Sequence, residues 1–137
     1  VAAEAAEFGT PGVNIGLFCS TPMVALSRNV PRKQAMEMLL LGEMMSAADA
    51  ERYGLINRAV SADRVLDEAL GMARRIAGKS KATVAIGKHA FYRQIDVPLA
   101  EAYSYAASVM VRNMMTADAN EGICAFLEKR TPSWKEG

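Results

Sequence analysis

The sequence predicts a mostly helical chain, with short extended pieces confined to its first sixty residues. Three observations lead there. From Pro31 onward apolar residues recur at three- and four-residue steps, the period of a helix face. Before it, Gly9, Pro11, Gly12, Gly16 and Pro22 interrupt any such period. Hydrophobic residues make up 51% of the 137, with nine Met, while charge stays at an ordinary 23%. The apolar excess therefore sits in Ala and Met, which suits closely packed helices.

Each element has its own reason. Residues 1–30 read as irregular, with Val1-Ala2-Ala3 as the end of a strand, as though the chain had been cut within a domain. Pro31 opens a helix, since its missing N–H falls among the unpaired amides of a first turn. Ala35, Met36, Met38, Leu39 and Leu40 give that helix a broad apolar face, and Gly42 stops it. Ser46 and Asp49 form a capping-box-like pair for a short helix ending at Gly54. Leu55 to Val60 reads as a strand. A helix over about 63–78 places Val65, Ala69, Met72, Ala73 and Ile76 on one face. Ser80 caps the next, over about 81–94. Pro98 opens the longest, to about Thr116, with Leu99, Ala102, Ala106, Val109, Met110 and Asn113 along one stripe. Asp118 is expected to cap the last helix, with Ile123, Phe126 and Leu127 as its buried side and Trp134 in an exposed tail. Such an apolar helical layer, with so little strand, needs a further sheet or other subunits to pack against.

Composition excludes several classes of function. Sixteen Lys+Arg against 15 Asp+Glu leaves net charge +1, so no basic excess points to nucleic acid. The apolar runs fall far short of the roughly 20 residues of a membrane span. Cys19 and Cys124 are the only cysteines; they fit free thiols in a reducing compartment and have no metal-ligand spacing. Cys124 reads as a small core residue. Cys19 lies in a loop without a nameable activating partner. The lone His89 has no second ligand or triad member at readable spacing and reads as a surface or helix-packing residue. Glu7 reads as a solvated loop residue, and Ser20 and Thr21 could hold a water but lack a base.

Four stretches, taken in order, resemble the enoyl-CoA hydratase/isomerase (crotonase) family. They are Phe8-Gly9-Thr10-Pro11-Gly12-Val13-Asn14-Ile15-Gly16-Leu17, then Ala35 through Glu43. Next come Ser46-Ala47-Ala48-Asp49-Ala50 with Gly54-Leu55-Ile56-Asn57-Arg58-Ala59-Val60, and finally Asp118 through Pro132 with its Glu121-Gly122 and Ala125-Phe126-Leu127-Glu128-Lys129-Arg130. Each is weak alone; together they cover nearly the whole chain.

The resemblance implies an α/β parent fold, a spiral of ββα turns followed by helices that build trimers or trimer pairs. Residues 1–60 would be the end of the spiral and 61–137 the helical oligomerisation region of a homo-trimer or hexamer. It implies an acyl-CoA thioester as substrate, in fatty-acid metabolism, with no cofactor and no metal. Two backbone N–H groups would stabilise the thioester enolate oxygen, typically by several kcal/mol, and paired carboxylates would move the protons of hydration. The second of those carboxylates is the Glu of the family's F-G-x-P-E stretch, and here that position is Gly12. The following Phe18-Cys19-Ser20-Thr21-Pro22 loop is about one residue shorter than the family's. Both departures resemble a branch of hydratase domain-containing proteins, known from mitochondria, that lacks the usual catalytic carboxylates. No catalytic residue is therefore assigned. Pro11, Gly12, Leu17 and Phe18 are acyl-pocket candidates. Phe126 and Lys129 match the family's contacts to the adenine and phosphate end of CoA, with Arg130 as an alternative phosphate partner. Phe126 also falls on an apolar helix side, which a packing role alone would explain. The compartment would be the cytoplasm in a bacterium or the mitochondrial matrix otherwise.

Overall fold

A computed structural model describes residues 1–135. The chain divides into two compact units, Val1–Gly71 and Met72–Gly137.

The first unit holds two small strand pairs and three helices. β1 (Ala2–Ala3) runs parallel to β4 (Ala59–Val60), with Ala2 opposite Ala59. β2 (Glu7–Phe8) pairs antiparallel with β3 (Met45–Ser46), with Phe8 opposite Met45. α1 (Ser20–Asn29) and α2 (Arg32–Leu41) pack together, and α3 (Ala47–Arg52) follows β3. Leu26, Val30, Ala35, Met38 and Leu39 form the core, with Phe8, Cys19, Met23, Met45, Tyr53 and Leu55 against it. Ser46 caps α3 as expected, accepting from the Asp49 amide at 3.1 Å. A 3₁₀ turn, Pro11–Ile15, is tied to the end of α2. There Thr10 Oγ1 donates to the Met38 carbonyl at 3.0 Å, and Asn14 Nδ2 to the Gly42 carbonyl at 3.0 Å.

Two expectations change here. Residues 20–29 form α1, although Pro22 argues against a helix. Pro22 is the third residue of α1, where an amide has no intrahelical partner to lose. The strand expected over Leu55–Val60 shrinks to Ala59–Val60. The Leu55 and Ile56 amides instead donate back to the Ala50 carbonyl, at 2.8 and 3.2 Å. A Glu51 carboxylate also takes the Ala59 amide at 3.0 Å.

α4 (Val65–Ala77), preceded by the 3₁₀ turn Ala62–Arg64, carries the chain into the second unit. That unit is a hairpin of α5 (Lys81–Gln94) and α6 (Leu99–Met114) with α7 (Ala117–Leu127) against both. Ser80 caps α5 through the Thr83 amide at 3.1 Å. The cap of α7 is Thr116, which accepts from the Ala119 amide at 3.2 Å, and not Asp118. Asp118 lies inside the first turn, buried, where a helix N-terminus favours a carboxylate, and it accepts the Lys135 amide at 2.8 Å. The sequence favoured Asp118 because aspartate is a good cap; threonine two residues earlier has the extended backbone a cap needs.

The expected buried side of α7 is also reversed within this chain. Ala125 is buried, whereas Ile123, Phe126 and Leu127 are 50%, 82% and 73% exposed. Trp134 is not a loose tail residue. Its indole N–H donates to the Gly78 carbonyl at 2.9 Å, and its ring lies over Gly122. Along α6, Ala102 and Val109 are buried, while Leu99 and Met110 of the same expected stripe are exposed. Among the described residues no helix is long and apolar enough to cross a membrane.

Candidate functional site

The acyl-pocket candidates form one turn of the first unit. Pro11 and Gly12 begin the 3₁₀ segment, and the chain folds back so that the Leu17 amide donates to the Gly12 carbonyl at 2.9 Å. Gly16 takes the left-handed conformation, φ 80°, that permits the reversal. Leu17 and Phe18 lie on the surface, 63% and 43% exposed, and Pro11 is exposed too. Asn14 is engaged with Gly42, and the Ser20 hydroxyl donates to the Phe18 carbonyl at 3.2 Å.

Gly12 is where this turn is tightest. A Cβ placed on it would lie 2.6 Å from the Leu17 carbonyl oxygen and 2.7 Å from Cys19 Sγ. Both distances are well inside van der Waals contact, which for carbon lies near 3.5–4.0 Å. The residue-12 backbone therefore has no room for any side chain while Leu17 to Cys19 keep this path. Cys19 is half-buried, sits just before α1 and packs against the core. Sequence reasoning did not assign Cys19 this space-filling role. Glu7 is exposed on β2, consistent with a solvated residue.

The residues matched to CoA contacts cluster at the end of α7 in the second unit. Two hydrogen bonds close the helix: the Lys129 amide to the Phe126 carbonyl at 3.2 Å, and the Arg130 amide to the Ala125 carbonyl at 3.0 Å. This double closure requires a left-handed residue at position 129, normally glycine. Lys129 adopts it, with φ 54°, and is the one non-glycine residue with positive φ among those described. Its side chain and that of Phe126 are exposed on the same short stretch.

Arg130 is differently placed. Its guanidinium grips Glu121 at 2.6 and 3.0 Å and Glu128 at 2.5 Å. The Arg130 fork, together with the Ser133 amide at 2.8 Å, holds the Glu121 carboxyl down at about 2. The same carboxylates raise the guanidinium's own affinity for its proton. Arg130 thus fixes the tail to α7, and a phosphate would have to compete with two carboxylates for it. Beside this end of α7, Val84, Ile123, Phe126, Leu127 and Trp134 line a mainly apolar cleft.

The family described as Enoyl-CoA hydratase/isomerase matches residues 1–137. The chain belongs to the enoyl-CoA hydratase/isomerase family. It is 50% identical, over 134 residues, to rat "Enoyl-CoA hydratase domain-containing protein 3, mitochondrial", covering 98% of this chain and 45% of that protein. It is 38% identical over 136 residues to a probable enoyl-CoA hydratase of Rhizobium meliloti, covering 98% of this chain and 53% of the relative. Among solved structures, an enoyl-CoA hydratase of Mycobacterium smegmatis superposes with a TM-score of 0.92 at 52% identity, over 96% of this chain and 51% of the other. Human enoyl coenzyme A hydratase domain-containing protein 3 superposes with a TM-score of 0.90 at 47% identity, over 96% and 52%. The chain spans about half the length of the curated relatives it matches. As a member of the enoyl-CoA hydratase/isomerase family it is a mostly helical part of the crotonase fold. Similar proteins include mitochondrial and bacterial ones.

Proposed function

We propose that this chain is part of an acyl-CoA-binding protein of the crotonase superfamily in which hydration of an enoyl thioester is weak or absent. The observation that carries this reading is the closed space at Gly12. Hydration in the family uses a carboxylate at that position, and glycine cannot transfer a proton. The backbone carbonyl of Leu17 and the Cys19 sulfur occupy the space from which a side chain would grow. The thioester itself needs only oriented backbone N–H groups to be polarised, so binding and enolate stabilisation survive the loss of the acid. A thioester reaction that places its acid elsewhere, such as an isomerisation, stays compatible with this turn.

Binding of CoA is assigned to the end of α7. Phe126 offers an exposed aromatic face for the base, and Lys129 an ammonium for a phosphate. A lysine kept in a left-handed backbone, where glycine would be less strained, supports a use for its side chain. The exposed apolar face of Ile123, Phe126 and Leu127 agrees with assembly into a homo-trimer or hexamer. A second reading, binding or assembly without any turnover, is favoured by the same closed turn.

The test is a crotonyl-CoA hydration assay on the complete protein, with CoA affinity measured in parallel. The expected outcome is measurable CoA binding, weakened by Lys129→Ala, with hydration far below that of an enzyme carrying both carboxylates. Rapid hydration by the unaltered protein would overturn the proposal.

A further inference from the structure

A groove between α5 and α6 is formed by other residues than the Gly12 turn and the end of α7. It encloses about 490 Å³ and is lined by Ala85, Ile86, His89, Tyr105, Val109 and Arg112, with Thr116 at its end. Ala85, Ile86 and Val109 supply its apolar lining, and His89 and Arg112 are exposed. No carboxylate is among the lining residues. Arg93, one helical turn beyond His89, lies over the Tyr105 ring at 4.4 Å and adds a second guanidinium at that end. Among the described residues the side chains of His89 and Arg112 have no ion-pair or hydrogen-bond partner. That contrasts with Arg58, Arg64 and Arg130, each of which meets a carboxylate. Thr116 is already engaged, donating to the Asn113 carbonyl and accepting the Ala119 amide, so the free donors are the guanidinium, the imidazole and the Tyr105 hydroxyl.

These donors line one groove. Arg93 meets Tyr105, which sets the register of α5 against α6. Arg112 is three residues past Val109, about 4.5 Å along the axis at 1.5 Å per residue. A fork of N–H donors, an imidazole and a phenol beside an apolar lining match a phosphate oxygen cluster joined to a small apolar body. We propose that the α5–α6 groove binds a small phosphate monoester, with Arg112 and His89 holding the phosphate and Ile86 and Val109 receiving the organic group.

The probe is phenyl phosphate, titrated calorimetrically into the complete protein, with inorganic phosphate and benzoate as companions. Phenyl phosphate is expected to bind more tightly than either companion. Arg112→Gln should raise its Kd tenfold or more, His89→Gln several-fold, and Arg112→Lys should fall between Arg112→Gln and the unaltered protein. Both residues are exposed, so these changes leave packing intact, and circular dichroism checks it. Lys129→Ala should leave this binding unchanged. No binding, binding indifferent to Arg112→Gln, or benzoate binding as tightly as phenyl phosphate overturns the proposal. Loss of binding in Lys129→Ala overturns it too, since that would place the ligand at the end of α7, and such a result would not touch the reading of the Gly12 turn.

Discussion

Replacing Gly12 by alanine isolates the packing claim from any chemistry. Gly12 lacks the positive φ seen at Gly16, Gly42 and Gly54, so its backbone conformation alone does not exclude a side chain. At such a position Gly→Ala ordinarily stabilises, by about 0.4–1 kcal/mol, because it restricts the unfolded chain. Here the new methyl would sit 2.6 Å from the Leu17 oxygen and 2.7 Å from Cys19 Sγ. The thiol can swing, but the carbonyl belongs to a turn held by the Leu17 amide's bond to Gly12 itself. Overpacking against backbone typically costs about 1–3 kcal/mol, so the expected net change is a loss of about 1–2 kcal/mol. Cys19→Ala alone trims a half-buried sulfur and should lose about 1 kcal/mol. The double variant relieves one of the two clashes and should lose less than the sum, with a coupling of about 0.5–1 kcal/mol. Equilibrium urea denaturation of the complete protein reads all four corners of the cycle. If Gly12→Ala proves as stable as the parent, or the two changes simply add, the closed-turn argument fails.

Three further outcomes follow from other parts of the chain. Lys129→Gly removes left-handed strain of about 1–2 kcal/mol while loosening the unfolded chain by about 0.5–1 kcal/mol. The variant should gain about 0.5–1 kcal/mol in thermal denaturation and lose CoA affinity by calorimetry; a gain in both would detach Lys129 from the ligand. Glu121 titrates at about 2 in the folded protein against an ordinary 4.5. Its contribution is therefore complete above about 4.5, and it fades as the pH falls toward 2, because the unfolded chain takes up the proton first. The stability difference between parent and Glu121→Gln should shrink across that window, and a difference that stays flat with pH would contradict the assignment. Trp134→Phe keeps most of the ring over Gly122 but removes the donor to the Gly78 carbonyl, and should cost about 1 kcal/mol in denaturation.

The helices from Pro31 onward were legible because period, caps and stops agreed there. Ser46, Ser80 and Gly42 perform the roles their chemistry suggests. α1 was not legible because a proline reads as a breaker unless its place in the first turn is known. The orientation of α7 was misread for a different reason. An apolar face was assigned to the interior of this chain, yet Ala125 alone supplies its buried apolar contact, and the larger residues face outward. Periodicity finds an apolar face without saying what covers it. At the candidate sites the sequence located Gly12, Phe126 and Lys129, but the Arg130–Glu121 clasp and the left-handed turn at Lys129 depend on backbone closure that no spacing rule displays.

Gly12 and the path of the loop after it are best treated as one feature. A glycine at position 12 could in principle follow from a single substitution and be undone by another. The path of Leu17 to Cys19 argues otherwise, because it fills the volume a Cβ would need. Cys19 packs against the core beside residue 12, and that packing depends on position 12 having no side chain. Gly12→Glu by itself should therefore destabilise the turn without creating a usable acid. Where the complete protein supplies the other carboxylate, recovery of hydration is expected only when a residue is also inserted between Gly16 and Ser20, freeing the space beside residue 12. The comparison of those two variants in the crotonyl-CoA assay decides the matter: activity restored by the single change would mean that the loop yields readily, and that the residue at position 12 and the path of Leu17 to Cys19 are independent.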